Sequence, residues 1–104
     1  MYRVTTPTHT FTLPIDTSVC NAIQVTYKQG CKILTKEYND GVLPPGMTLD
    51  EKDVIINLTQ AETKAFSVGT VDVQVRALTN GGKAYASQHF NVSVYRVNNE
   101  EILL

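Results

Sequence analysis

The chain has no tryptophan and only two cysteines, Cys20 and Cys31, among its 104 residues. That excludes the Cys…Trp…Cys signature of antibody domains. Two cysteines outside any CxxC spacing also give no metal-ligand pattern. A basic block is missing as well: Lys28, Lys32 and Lys36 are spread among acids, and the net charge is −1. Nucleic-acid binding leaves a basic footprint, so nucleic acid is not expected as a partner. No stretch approaches the ~20 apolar residues of a membrane span. The first residues, Met1 to Pro7, lack the apolar core of a signal peptide. The expectation is synthesis in the cytosol without export by a signal of its own.

What is present is period-two alternation. Ile23, Val25 and Tyr27 alternate with Gln24, Thr26 and Lys28. Val71, Val73, Val75 and Ala77 alternate with Thr70, Asp72, Gln74 and Arg76. Ala84, Ala86, Phe90, Val92 and Val94 alternate with Tyr85, Ser87, His89, Asn91 and Ser93. Strand side chains point to opposite faces in turn, so each segment reads as a strand with one buried face. Apolar residues make up 42% of the chain. A chain this long forms one domain, residues 1–104, and buries roughly two-thirds of its unfolded surface.

The remaining elements follow from turn chemistry. Thr8 to Ile15 reads as a first strand with Phe11, Leu13 and Ile15 on one side, and Pro14, which lacks an N–H, marks it as an edge or an end. Val19 to Lys28 and Ile33 to Tyr38 are the next two strands, the latter with the mixed polarity of an edge or an exposed position. Asn39-Asp40-Gly41 is a turn, Pro44-Pro45-Gly46 stiffens the loop after it, and Met47 to Leu49 and Val54 to Leu58 are short strands. Thr59 followed by Glu62 fits a capping box, predicting one or two helical turns between residues 60 and 66, with Phe66 returning to the core. Asn80-Gly81-Gly82 joins strands Thr70 to Leu78 and Ala84 to Tyr95 in a hairpin. About seven short strands at regular spacing point to an all-β, antiparallel, immunoglobulin-like β-sandwich. Residues 97–104 form an extended tail.

Chemistry is sparse. A two-residue loop at Gln29-Gly30 would set Lys28 opposite Cys31 and Cys20 opposite roughly Asn39. The sulfurs would then lie about 25 Å apart at ~3.3 Å per residue, and both cysteines read as free thiols. His9 and His89 are the only histidines, and both are expected to point outward without partners. Asp50, Glu51 and Asp53 are acidic oxygens of the kind calcium uses, but without EF-hand spacing they read as a solvated turn. Asn57-Leu58-Thr59 and Asn91-Val92-Ser93 match the glycosylation sequon, which has no consequence without export. No cofactor is expected, and no acid, base and nucleophile converge as an enzyme would require.

Two features suit an interface. Tyr38, Tyr85 and Tyr95 are expected outward, where tyrosines either anchor a partner or pair across strands on the solvent face. Ile102, Leu103 and Leu104 either add to the protein's own core or dock on a neighbour.

Several segments carry a resemblance. They are Thr8 to Ser18, Ile23 to Gln29, and above all Asp53-Val54-Ile55-Ile56-Asn57-Leu58-Thr59-Gln60-Ala61-Glu62-Thr63, followed by Val73 to Arg76 and Asn80-Gly81-Gly82. Together they resemble small phage and prophage proteins of Gram-positive bacteria. Their order is similar to that of the N-terminal domain of phage baseplate upper proteins. The resemblance covers most of the chain and carries over no catalytic residue. It implies a structural, non-enzymatic module of a virion or its assembly, located in the virion or the host cytoplasm. Its partners would be other virion or baseplate proteins, with a homo-oligomer among the arrangements. The alternative class is a carbohydrate-binding or adhesion module, which would need an aromatic platform or a calcium loop.

Overall fold

A computed structural model describes residues 1–104. Its strands are β1 (Thr8–Thr12), β2 (Cys20–Gln29), β3 (Lys32–Asn39), β4 (Met47–Asp50), β5 (Asp53–Asn57), β6 (Gly69–Thr79), β7 (Ala84–Ala86) and β8 (Phe90–Val94), with a helical turn α1 (Gln60–Lys64) between β5 and β6. They form two antiparallel sheets. One runs β1-β5-β4; the other runs β3-β2-β6, with both β7 and β8 pairing β6.

This is the immunoglobulin-like sandwich order. β1, β5 and β4 take the B, E and D places, and β3, β2, β6 and β8 take C′, C, F and G. No strand fills the A place. Instead the N-terminal arm lies parallel to the end of β8: Tyr95 N–H donates to Met1 O at 2.8 Å, and Arg3 N–H donates to Tyr95 O at 3.0 Å.

The alternating residues of β2 and β6 supply the core. Ile23, Val25, Tyr27, Val71, Val73 and Val75 are fully buried against Val54, Ile56 and Leu58 of the opposite layer. The capping box forms as its spacing requires. Glu62 N–H donates to Thr59 Oγ at 3.1 Å, and Thr59 N–H donates to Glu62 Oε1 at 2.9 Å, satisfying two of the donors that a helix start leaves open. Phe66 then plugs fully into the core.

Three expectations change. The β2–β3 loop is Gly30-Cys31 rather than Gln29-Gly30, because Gln29 pairs with Lys32. Gly30, at φ +58°, supplies the positive φ wanted at the first position of such a loop. Cys20 lies across from Thr79, and the two thiols are free, one buried and one exposed. The first strand stops at Thr12, two residues before Pro14.

The third change concerns the last strand, which is two strands. Leu78 faces Ala84 and Arg76 faces Ala86, whereas Val73 faces Phe90. Four steps along this strand therefore match three along β6, and the alternation reverses phase between them. Ser87 makes the join: its N–H donates to Val75 O at 2.7 Å, and its Oγ accepts Val75 N–H at 2.9 Å. A side-chain oxygen thus replaces a ladder carbonyl, as at a bulge. Phe90, Val92 and Val94 keep the inner face, but Ala84 and Ala86 are exposed.

Candidate interaction surfaces

The phase reversal moves one expected interface residue. Tyr85 stands opposite the buried Ala77, on the inner face of its sheet, and is half-buried. Tyr38 is opposite Ile23 for the same reason and packs against the core. Neither projects outward. Tyr95 does: it is exposed and stacks on Tyr2, with ring centroids 5.4 Å apart and planes tilted by 47°.

His9 also departs from expectation. It shares the parity of Phe11 and Leu13, so it faces inward. Its Nδ1 lies 2.7 Å from the Tyr27 hydroxyl, bridging β1 to β2 between the layers. Burial, with a smaller push from the Met1 ammonium group, lowers the His9 pKa. Burial, with the Glu62 carboxylate nearby, raises that of Tyr27. Both effects favour a neutral pair. The parity with Phe11 was the signal for this in the sequence. His89 is exposed as expected, but it has a partner, with Nδ1 2.7 Å from Asp72 Oδ2.

The acidic turn turns out to be a local brace. Asp50 and Asp53 close the β4–β5 hairpin, Thr12 O–H donates to Asp53 Oδ1 at 2.7 Å, and Glu51 O accepts from both Thr17 N–H and Thr17 O–H. No group of three or more His, Cys, Asp and Glu side chains lies close enough to share a metal ion. No helix is long and apolar enough to cross a membrane.

Arg3 organises one end of the molecule. Its guanidinium donates to Phe66 O at 2.7 Å and to Lys64 O at 2.8 Å, and forms an ion pair with Glu100. The helix end, the N-terminal arm and the tail are thereby joined through one planar group, a use that suits Arg and not Lys. Beneath it, the buried Thr63 Oγ accepts Thr5 N–H at 3.0 Å and donates to Thr5 O at 2.9 Å. The tail is then held by its backbone. Gln60 donates through Nε2 to Leu103 O at 2.8 Å, and its Oε1 accepts Leu103 N–H at 2.9 Å. The side chains of the tail are not buried by this: Ile102, Leu103 and Leu104 are all exposed, Leu103 at 77%. The segment docks on its own domain through polar groups while presenting apolar ones to solvent.

A second surface is the outer edge of β3. β3 pairs only with β2, and no backbone group of residues 33–38 bonds to anything else. Below this edge, Lys36 points inward and is held by Glu62 at 2.6 Å and Pro45 O at 3.1 Å. Two clefts complete the surface. One, of about 390 Å³, opens between the layers beside Leu13, Pro14, Tyr85 and Phe90. The other, of about 230 Å³, is a shallow depression on the outer face of the larger sheet beside Gln24, Glu37, Arg76 and Leu78.

Compared with known proteins, the chain matches no family model, no curated protein and no solved structure.

Proposed function

We propose that this chain is a non-enzymatic structural module of a phage or prophage particle, or of its assembly, and that it works by protein–protein contact. The observation that carries this is the tail. An apolar side chain of this size gains ~1.5–3 kcal/mol when fully buried. Leu103 and Leu104 forgo that gain in the isolated domain, and Ile102 part of it, although Gln60 already holds the Leu103 backbone in place. Such an ordered but uncovered segment is completed by a neighbour. The phage setting is supported by the sequence resemblance described above. The partners it implies are other virion or baseplate proteins and further copies of this chain.

A carbohydrate-binding or adhesion role draws on one feature, the exposed Tyr2–Tyr95 pair. The 47° tilt between its rings means that they do not form one continuous flat platform.

Light scattering on the full chain and on a chain ending at Asn99 tests the proposal. Truncation is expected to lower the mass of the assembly. An unchanged mass would remove the tail from the assembly, and a titration with soluble sugars that shifts Tyr2 or Tyr95 resonances would favour the adhesion reading.

A further inference from the structure

The protein has several strand edges, and all but one are short, flanked by proline or covered at one end. β1 lies between Pro7 and Pro14; β4 has four residues and follows Pro44-Pro45; β7 has three; the end of β8 is covered by Met1–Arg3. These are among the ways in which sheet proteins blunt an edge; another, an inward-pointing charge, is present on β3 as Lys36, but Glu62 pairs it within the protein. β3 is different. It has eight residues, no proline and no bulge, and its pairing with β2 is continuous from Ala22↔Asn39 to Gln29↔Lys32.

The direction of its open hydrogen-bonding groups can be assigned. Asp40 N–H donates inward to Asn21 O on the β2 side, whereas Asn39 exchanges bonds with Val42 on the other side. Backbone groups alternate along a strand, and the register is unbroken, so the N–H and C=O of Ile33, Thr35 and Glu37 all point away from β2. Their side chains lie on the outer face of the sheet, and all three are exposed.

We propose that β3 pairs antiparallel with β3 of a second copy of this chain, about a two-fold axis through Thr35. In this register Thr35 faces Thr35 and Ile33 faces Glu37 on each side, so every outward group is used and about six ladder bonds form. Shifting the register by one pair either way leaves outward groups unpaired. The shift centred on Lys36 would also set one Lys36 opposite the other. The chosen register opposes no like charges, since Lys36 then faces Leu34 and Lys32 faces Tyr38. On the outer face Ile33, at 58% exposed, would lie between Lys28 of its own β2 and Glu37 of the second copy, whose aliphatic stems cover it while their charges attract. The contact is isologous and closes on itself, joining the two larger sheets into one. It uses a surface other than the tail.

Site-directed cross-linking reads this contact independently of the tail. In a Cys31→Ser background, which removes the exposed thiol, Thr35→Cys brings two Cα atoms about 5.5 Å apart, within disulfide reach. Glu37→Cys places its copies about 14 Å apart, beyond reach. Mild oxidation is expected to link Thr35→Cys chains into a covalent dimer and to leave Glu37→Cys chains unlinked. Thr35→Pro removes only an outward N–H, so the fold, followed by circular dichroism, is retained while the mass by light scattering falls twofold. Equal cross-linking at both positions, no cross-linking at Thr35→Cys, or a mass unchanged by Thr35→Pro would each overturn the proposal.

Discussion

The two edges of the larger sheet are treated in opposite ways. Along β8 the chain caps the end of its own edge: the N-terminal arm pairs with Tyr95, Arg3 ties that arm to the end of α1 and to Glu100, and Thr63 locks Thr5 from beneath. Along β3 the ladder is left open, yet the ground under it is firm. Lys36 is clamped between Glu62 and Pro45, and the loop it grips is stiffened by Pro44-Pro45. A sheet that protects one edge with several bonds and holds the other rigid but uncovered separates an edge that needs sealing from one free to receive a partner.

The largest effect is expected on the open side. Gly46 sits at φ +83°, and a Cβ there would fall 2.4 Å from Asn57 O, a contact that requires the backbone to move. Its own carbonyl accepts Asn57 N–H at 2.7 Å, so the shift also strains the entry to β4. Gly46→Ala should cost about 3 kcal/mol, combining positive-φ strain with a backbone clash. Chemical denaturation checks it. A loss under 1 kcal/mol would mean that the loop below β3 is not the rigid support described.

On the sealed side Arg3→Ala should cost about 1–2 kcal/mol. Several carbonyl and carboxylate contacts are lost, but to partners that water can partly reach. The more telling readout is local. Hydrogen exchange at Arg3 and Tyr95 N–H should accelerate while that at Val73 and Val75 stays slow. Uniform acceleration would show that the arm is part of the core and not a seal over β8.

Much of this contrast was legible in the sequence. The alternation in β2 and β6 identified the core, because both strands are central and each must bury one face along its whole length. Thr59 and Glu62 announced the capping box, and the mixed polarity of residues 33–38 announced an edge. The phase reversal at Ser87 was hidden, because the period-two count runs through it unbroken and only the side-chain bond to Val75 shows the step. That one residue decided where Tyr85 points. The seal over β8 was equally hidden: Arg3, Lys64 and Glu100 are far apart in the chain, and nothing local links a guanidinium to carbonyls that become available only where a helix ends. Tyr38 faces inward although its strand is an edge, since an edge is open in the plane of the sheet and not on both faces.

The smallest effect belongs to a pair that lies under neither edge. His9 bonds Tyr27 between the layers, and burial lowers its pKa in the folded protein. The unfolded chain, with His9 near the ordinary 6.5, therefore binds the proton more readily. The stability that His9 contributes is present above pH 6.5 and is lost as pH falls from there through the folded pKa. Glu62 adds a separate, lower window. Burial alone would raise its pKa, but Lys36 and the Thr59 N–H together lower it below 4.5, so its contribution is present above pH 4.5 and lost in stronger acid. His9→Asn keeps a polar atom near the position of Nδ1 and cannot take up a proton. Thermal melting between pH 7 and 5 should fall in the parent protein and flatten in His9→Asn, while the loss below pH 4.5 persists in both. A parent protein whose melting temperature stays level from pH 7 to 5 would show that acid does not act through the His9–Tyr27 bridge.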